Sequence, residues 1–221
     1  MRMKDMAVLY EKSHKIPLRK LIADEGNHKI PSSTAIFNMG TATNCPSKAL
    51  GLCNATKHGV FCYALKAENM YKEPYQYRKR QERLWKNTSA EDFAFQLLMI
   101  NSTKRKPFTA LRLNESGDFW GQKDIEKAEK VARILKRSGI ITYCYTSRSD
   151  LDYRGVRDLV ISGSGFRKEG VKSIFEIIGR RDKKLRGFGI CKGNCRICIV
   201  VRRAVGKLVL GSINLFDIYT E

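Results

Sequence analysis

No stretch of this chain is long and apolar enough to suggest a membrane span; the long uncharged stretch that includes Ser32 to Ser47 is polar and contains Cys45 and Pro46. The first residues, MRMKDMAVLYEK, place charges where a secretory signal would need an apolar run. Both absences lead to the expectation of a cytoplasmic protein with no membrane partner. Acidic residues are scarce: 22 Asp plus Glu stand against 42 Lys plus Arg, a formal net charge of +20. The expected partner of such a surface is a polyanion, with nucleic acid the first candidate. Repeats, low-complexity tracts and a dividing linker are also missing, so residues 1–221 are expected to form a single domain.

What is present argues for a folded core. The chain is 43% hydrophobic, with two Trp, nine Tyr and ten Phe, which is too much apolar and aromatic surface for a disordered chain. In a reducing compartment its seven cysteines are poor disulfide candidates, and grouped thiols there serve metals or redox chemistry. The positive charge is grouped as well. Arg167 to Lys207 holds thirteen basic and three acidic residues, half of the net charge, and Arg180, Arg181, Lys183, Lys184 and Arg186 are the expected phosphate contacts. A second basic run, Tyr71 to Lys86, interleaves Tyr71, Tyr75, Tyr77 and Trp85 with Arg and Lys. Its simplest reading is a solvated helix with the aromatics turned to the core.

Periodicity predicts a helix over Lys123–Arg137, with an apolar stripe of Ile125, Ala128, Val131, Ala132, Ile134 and Leu135, the pairs Glu126–Lys130 and Glu129–Arg133, and Gly139 closing it. A second helix is expected to start at a capping box of Thr88 and Glu91 and to bury Phe93, Leu97, Leu98 and Ile100. Branched and aromatic runs predict strands at 33–39, 108–113, 140–146, 158–162, 173–178, 197–202 and 207–210, with Leu185–Gly193 the most turn-like segment. Short apolar strands separated by amphipathic helices imply an α/β fold with a parallel sheet or barrel. Chemistry in such folds collects at the carboxyl ends of strands. There the chain places Cys45, then Asn114, Glu115, Ser116 and Asp118, then Thr146 to Asp150, then Gly163 to Gly165.

Six cysteines form two triplets. Cys45, Cys53 and Cys62 span an N-terminal loop (45–62), and Cys191, Cys195 and Cys198 lie in a C-terminal segment (185–203), whereas Cys144 reads as a buried small hydrophobe inside a strand. Thiolates select zinc or iron–sulfur clusters. A structural zinc site needs four closed ligands; His58 could complete the first triplet, in a spacing that fits no common finger, and the second offers no local fourth ligand. Three cysteines that leave one metal position open suit a [4Fe-4S] cluster able to bind a substrate or cofactor.

The run AIFNMGTATNCPSKALGLCNATKHGVFCYALKAENMY, a strand followed by a Cys-Pro loop, Cys-Tyr-Ala and a helix, resembles a stretched form of the cluster loop of radical S-adenosylmethionine enzymes. The resemblance implies a partial (β/α) barrel with Cys45, Cys53 and Cys62 as cluster ligands. It puts Ser116, Gly117 and Asp118 where that family contacts the methionine amino group, and makes Ser147, Arg148 and Ser164 candidates for the ribose and carboxylate. Those enzymes use the compact spacing Cys-x3-Cys-x2-Cys, which here appears at Cys191–Cys198, while the N-terminal cysteines are separated by seven and eight residues. The chain as a whole resembles the gene-product-eighty-eight-like proteins of phages and mobile elements, through Cys45-Pro46 to Cys62-Tyr63-Ala64, Ser116–Phe119, Tyr145–Ser149 and Cys191–Cys198. This resemblance implies a family without an activity and, for a viral source, the host cytoplasm.

Two functions are expected from these features. One is a radical S-adenosylmethionine-like enzyme with one or two [4Fe-4S] clusters acting on a nucleic acid or another anionic substrate, with Asp118 orienting the cofactor amine. The other is a non-enzymatic iron–sulfur or zinc protein whose basic surface binds nucleic acid. The two triplets could hold separate clusters, or converge on one where the first and last strands meet.

Overall fold

A computed structural model describes residue 22 and residues 30–53, 62–176, 188–191 and 212–215. The described residues form a single all-parallel sheet of β1 (Thr34–Phe37), β2 (Ala110–Leu113), β3 (Ile141–Thr146), β4 (Val160–Ser164), β5 (Ser173–Glu176), β6 (Phe188–Cys191) and β7 (Ser212–Leu215). Their order is β1-β2-β3-β4-β5-β7-β6. Five helices are described, and all precede β3: α1 (Pro46–Ala49), α2 (Tyr63–Met70), α3 (Lys72–Asn87) and α4 (Ala90–Thr103) between β1 and β2, and α5 (Gln122–Lys136) between β2 and β3. The crossovers from β3 to β4 and from β4 to β5 run without a helix. The expected α/β class with a parallel sheet is what the structure has.

Residues paired in parallel register share a face. Phe37, Leu113 and Cys144 line up on one face and pack into the main core with Leu111, Ile161, Phe93 and Leu97 of α4, and Ile125, Ala128, Val131 and Leu135 of α5. Cys144 is fully buried there, in the place of a small hydrophobe. Trp85 of α3 completes the core, edge-on to Phe93 at 5.2 Å, and donates its indole N–H to Asp124 at 2.8 Å. The opposite face carries Thr34, Ile36, Arg112, Tyr143, Tyr145 and Ser162. All four residues of β1 are buried, as expected for a parallel strand covered on both sides.

Several local expectations shift. The helix after α3 is capped by Ser89 rather than Thr88: the Ser89 hydroxyl accepts from Asp92 N at 3.0 Å and donates to Asp92 Oδ2. Thr88 instead donates to Leu84 O, finishing α3. Strand β4 starts two residues later than the apolar run suggests, because the Glu129 carboxylate of α5 accepts from the N–H groups of Arg157, Asp158 and Leu159 and keeps them off the ladder. Glu129 also pairs with Arg133 as expected, whereas Lys130 reaches across to Glu91 of α4. In α3 the simple reading holds in part: Trp85 is buried and Tyr77 packs on the core, but Tyr71 is exposed and Arg78, Gln81 and Glu82 turn inward. Part of the expected turn at Leu185–Gly193 is strand β6. The expected strands 197–202 and 207–210, Cys195, Cys198, His58 and the five basic residues Arg180 to Arg186 lie outside the described residues.

Candidate metal and cofactor site

Three loops leave the carboxyl ends of β1, β2 and β3 and meet above the sheet. Asp118, 4% exposed, ties them together. Its carboxylate accepts from Ser47 Oγ (2.6 Å) in the β1 loop, from Thr146 Oγ1 (2.6 Å) and Ser147 N (2.8 Å) at the end of β3, and from Phe119 N (2.8 Å). A carboxylate has about four acceptor positions, and all are occupied. Burial pushes its carboxyl above the ordinary range, and the four donors only partly pull it back. The residue expected to meet a cofactor amine is thus a positioning residue, spent on the protein's own loops.

Glu68 of α2 holds a second knot. Oε1 accepts from Ala42 N (2.8 Å) and Arg78 Nη1 (2.9 Å), and Oε2 accepts from Thr43 N (2.9 Å) and Thr43 Oγ1 (2.8 Å). Burial opposes ionisation, yet these hydrogen bonds outweigh it and hold the Glu68 carboxyl below its usual value. Arg78 Nη1 also reaches Ala64 O, so the chain after Cys62 and the chain before Cys45 are clamped together. Asn38 bridges Gln81 and Ser116 N, and Asn114, held at φ 58°, accepts from Met39 N. Gly117 lies at φ 75°, and a Cβ there would stand 2.7 Å from the Gly40 backbone, so only glycine lets the β1 and β2 loops touch.

Within this frame Cys45, Cys53 and Cys62 are half-buried free thiols. Cys45 and Cys62 occupy the N-cap positions of α1 and α2. Desolvation, helped by the Asp118 charge, pushes the Cys45 thiol up to about 12, against the pull of the Lys48 and Ser47 N–H groups; Cys53 is close enough to add to the rise. Such a thiol stays protonated at neutral pH unless a metal displaces the proton. Tyr63, next to Cys62, donates its hydroxyl to Glu115 O and links the third cysteine to the β2 loop. The donor set, three soft thiols on a pinned loop, has the chemistry an iron–sulfur cluster requires. Among the described residues, however, no group of three His, Cys, Asp or Glu side chains is gathered closely enough to hold a metal as it stands.

The other expected site residues divide. Ser116 is buried and its hydroxyl faces Glu68 at 3.4 Å. Ser147 borders the same rim, its N–H spent on Asp118, and Ser164 is the last residue of β4 rather than the loop after it. Arg148 is 4% exposed and bound to Asp150 through Nε and Nη2, both at 2.8 Å, with Nη1 on Phe119 O. It braces the rim, with three of its five N–H donors spent on the protein's own acceptors. Cys191 ends β6, and β1 and β6 are opposite edges of the sheet. β1 and β6 do not pair among the described residues. Glu68, Ser47 and Asn38 were not legible in advance, because no motif links residues 26 to 78 positions apart along the chain.

A family model described as Gene product 88 matches residues 9–164. No curated protein and no solved structure matches the chain. Among the described residues no helix is long and apolar enough to cross a membrane.

Proposed function

The chain belongs to the gene product 88 family, a description that names no activity, and we propose from its rim that it is an iron–sulfur protein of radical S-adenosylmethionine type. Cys45, Cys53 and Cys62 would hold the cluster. The observation that carries this reading is the placement of all three thiols on a single loop at the carboxyl end of β1, clamped by Glu68 and Asp118. The sequential order β1 to β5, with helices packed on one face, supports an incomplete (β/α) barrel as its setting. A bound [4Fe-4S] cluster with one open iron would supply low-potential electrons and a position at which S-adenosylmethionine could be cleaved reductively. The protein's part is positional: Glu68 and Arg78 fix the two ends of the cysteine loop, Asp118 fixes Ser47 two residues beyond Cys45, and Ser116 and Ser147 line the rim where a cofactor would lie. The C-terminal triplet, Cys191, Cys195 and Cys198, would hold a second cluster.

Iron and sulfide content of anaerobically purified protein tests this directly. Alanine in place of Cys45, Cys53 or Cys62 should remove one cluster, and alanine at Cys191, Cys195 or Cys198 the other; a colourless, zinc-containing protein would sink the reading. With dithionite and S-adenosylmethionine, release of 5′-deoxyadenosine supports an enzyme. Its absence, with no change in the cluster's EPR signal, leaves the second reading, a non-enzymatic cluster protein. The charge of +20 favours nucleic acid as the partner in either case. Affinity for nucleic acid that did not fall as salt rose would refute phosphate contacts.

A further inference from the structure

Arg112 is the only cation in the described strands. It sits in β2, one strand in from the β1 edge of the sheet, between Ile36 and Tyr143, on the face turned away from α4 and α5. Its guanidinium lies over the Tyr145 ring, 5.3 Å from the centroid, with Tyr63, Tyr143 and Glu115 around it. The other inward-turned arginines are matched: Arg78 has Glu68 at 2.9 Å, and Arg148 has Asp150 at 2.8 Å. Among the described residues Arg112 has neither an ion pair nor a hydrogen-bond acceptor, and its Nε is sealed from solvent without a partner. A second orphan shares the face: the Thr34 hydroxyl, on the neighbouring strand, is fully buried and also unpartnered.

A guanidinium N–H withdrawn from water without an acceptor is costly, and native proteins rarely keep one. Stability given up at one position is the usual mark of a binding group waiting for its ligand. The side chain is half-buried, so part of it remains reachable. We propose that Arg112 is an anion-binding residue that receives the carboxylate or phosphate group of a small-molecule ligand on the face of the sheet turned away from α4 and α5, beside the Cys62–Tyr63 end of the cysteine loop. A small molecule fits better than a polymer, because the guanidinium stems from mid-strand rather than from the rim, below the level a nucleic-acid backbone could follow. The Tyr145 ring beneath it favours one orientation of the planar fork, which suits two-point recognition of an oxyanion. The site is independent of the cluster: none of its groups is a proposed metal ligand.

The test compares the wild type with Arg112→Met, which keeps the length of the side chain over Tyr145 and removes the charge. Thermal unfolding is followed in chloride, acetate and phosphate at matched ionic strength; general salt stabilisation is common to both proteins and cancels in the difference. In chloride the variant should melt at or above the wild type, the reverse of what loss of a structural ion pair gives. Phosphate or acetate should raise the wild-type midpoint by roughly 3 °C more than it raises the variant's. The anion giving the Arg112-dependent shift names the group recognised. Equal responses in both proteins, or none in the wild type, overturn the proposal. If Arg112→Met fails to fold, Arg112→Gln takes its place in the comparison; failure of both makes Arg112 a structural residue and also overturns it.

Discussion

Replacing Asp118 with Asn tests whether the rim is held by this carboxylate or merely contains it. The substitution keeps volume and shape, so no cavity contributes. Of the four donors that Asp118 satisfies, the hydroxyls of Ser47 and Thr146 can turn and accept from an amide. The N–H groups of Ser147 and Phe119 cannot, and they meet different carboxylate oxygens. Either orientation of the Asn amide therefore sets one N–H against another. A hydrogen bond to a charged group contributes roughly 1.5–3 kcal/mol, and a buried donor left unsatisfied costs about 1–3 kcal/mol. Removing a carboxylate that burial already disfavours offsets part of this. The expected net loss is about 2–4 kcal/mol, read from the urea midpoint at unchanged slope. Ser47→Ala should lose less and be non-additive with Asp118→Asn, since Asn turns into a neutral contact the charge-assisted bond that Ser47→Ala removes, with a coupling of about 1 kcal/mol. A loss below about 0.5 kcal/mol, or simple additivity, would refute the positioning role. Asp118 would then be free to contact a ligand instead.

Two further outcomes follow from the same frame. Gly117→Ala must relieve both a positive φ and a 2.7 Å approach to the Gly40 backbone, and should cost at least about 3 kcal/mol; Gly121→Ala, extended and with open space around it, should stay within about 0.5 kcal/mol. Glu68→Gln leaves Arg78 without its anion and should cost about 3 kcal/mol at neutral pH. Because the folded protein holds the Glu68 carboxyl below its unfolded value, that contribution is present above the unfolded value, near 4.3, and is lost as pH falls through the lower folded one. The gap between wild type and Glu68→Gln should therefore close on acidification, when stability is measured by urea from pH 7 downward; a gap constant with pH would contradict the Glu68 hydrogen bonds. Asp118, shifted upward, works in the opposite sense and is common to both proteins, so it cancels in this difference.

Local signals suffice where one element decides its own form. The stripe of α5 follows from helical spacing alone, and every residue of it is buried or packed on the core. The cap before α4 was displaced by one residue because Thr88 and Ser89 are both competent cap residues. Which of them caps depends on where α3 ends, and the Thr88 hydroxyl is used on Leu84 O. The late start of β4 depends on Glu129, a helix residue whose reach to the Asp158 N–H has no local signature.

By itself the sequence determined the α/β class, the burial of Cys144, and the gathering of polar residues after the first three strands, since these depend on periodicity and on the side-chain alternation of a strand. It also placed the thiols in two groups, a matter of spacing. The tertiary structure alone decided what the polar groups do. Asp118 and Arg148 look like ligand contacts along the chain, yet in three dimensions each is surrounded by the protein's own donors and acceptors and is consumed as a brace. Arg112, one unremarkable cation among 42 basic residues, becomes conspicuous only when the sheet places it where no anion among the described residues pairs with it. A charge acquires its meaning from its partners, and partners 10 to 78 residues away are chosen by the fold.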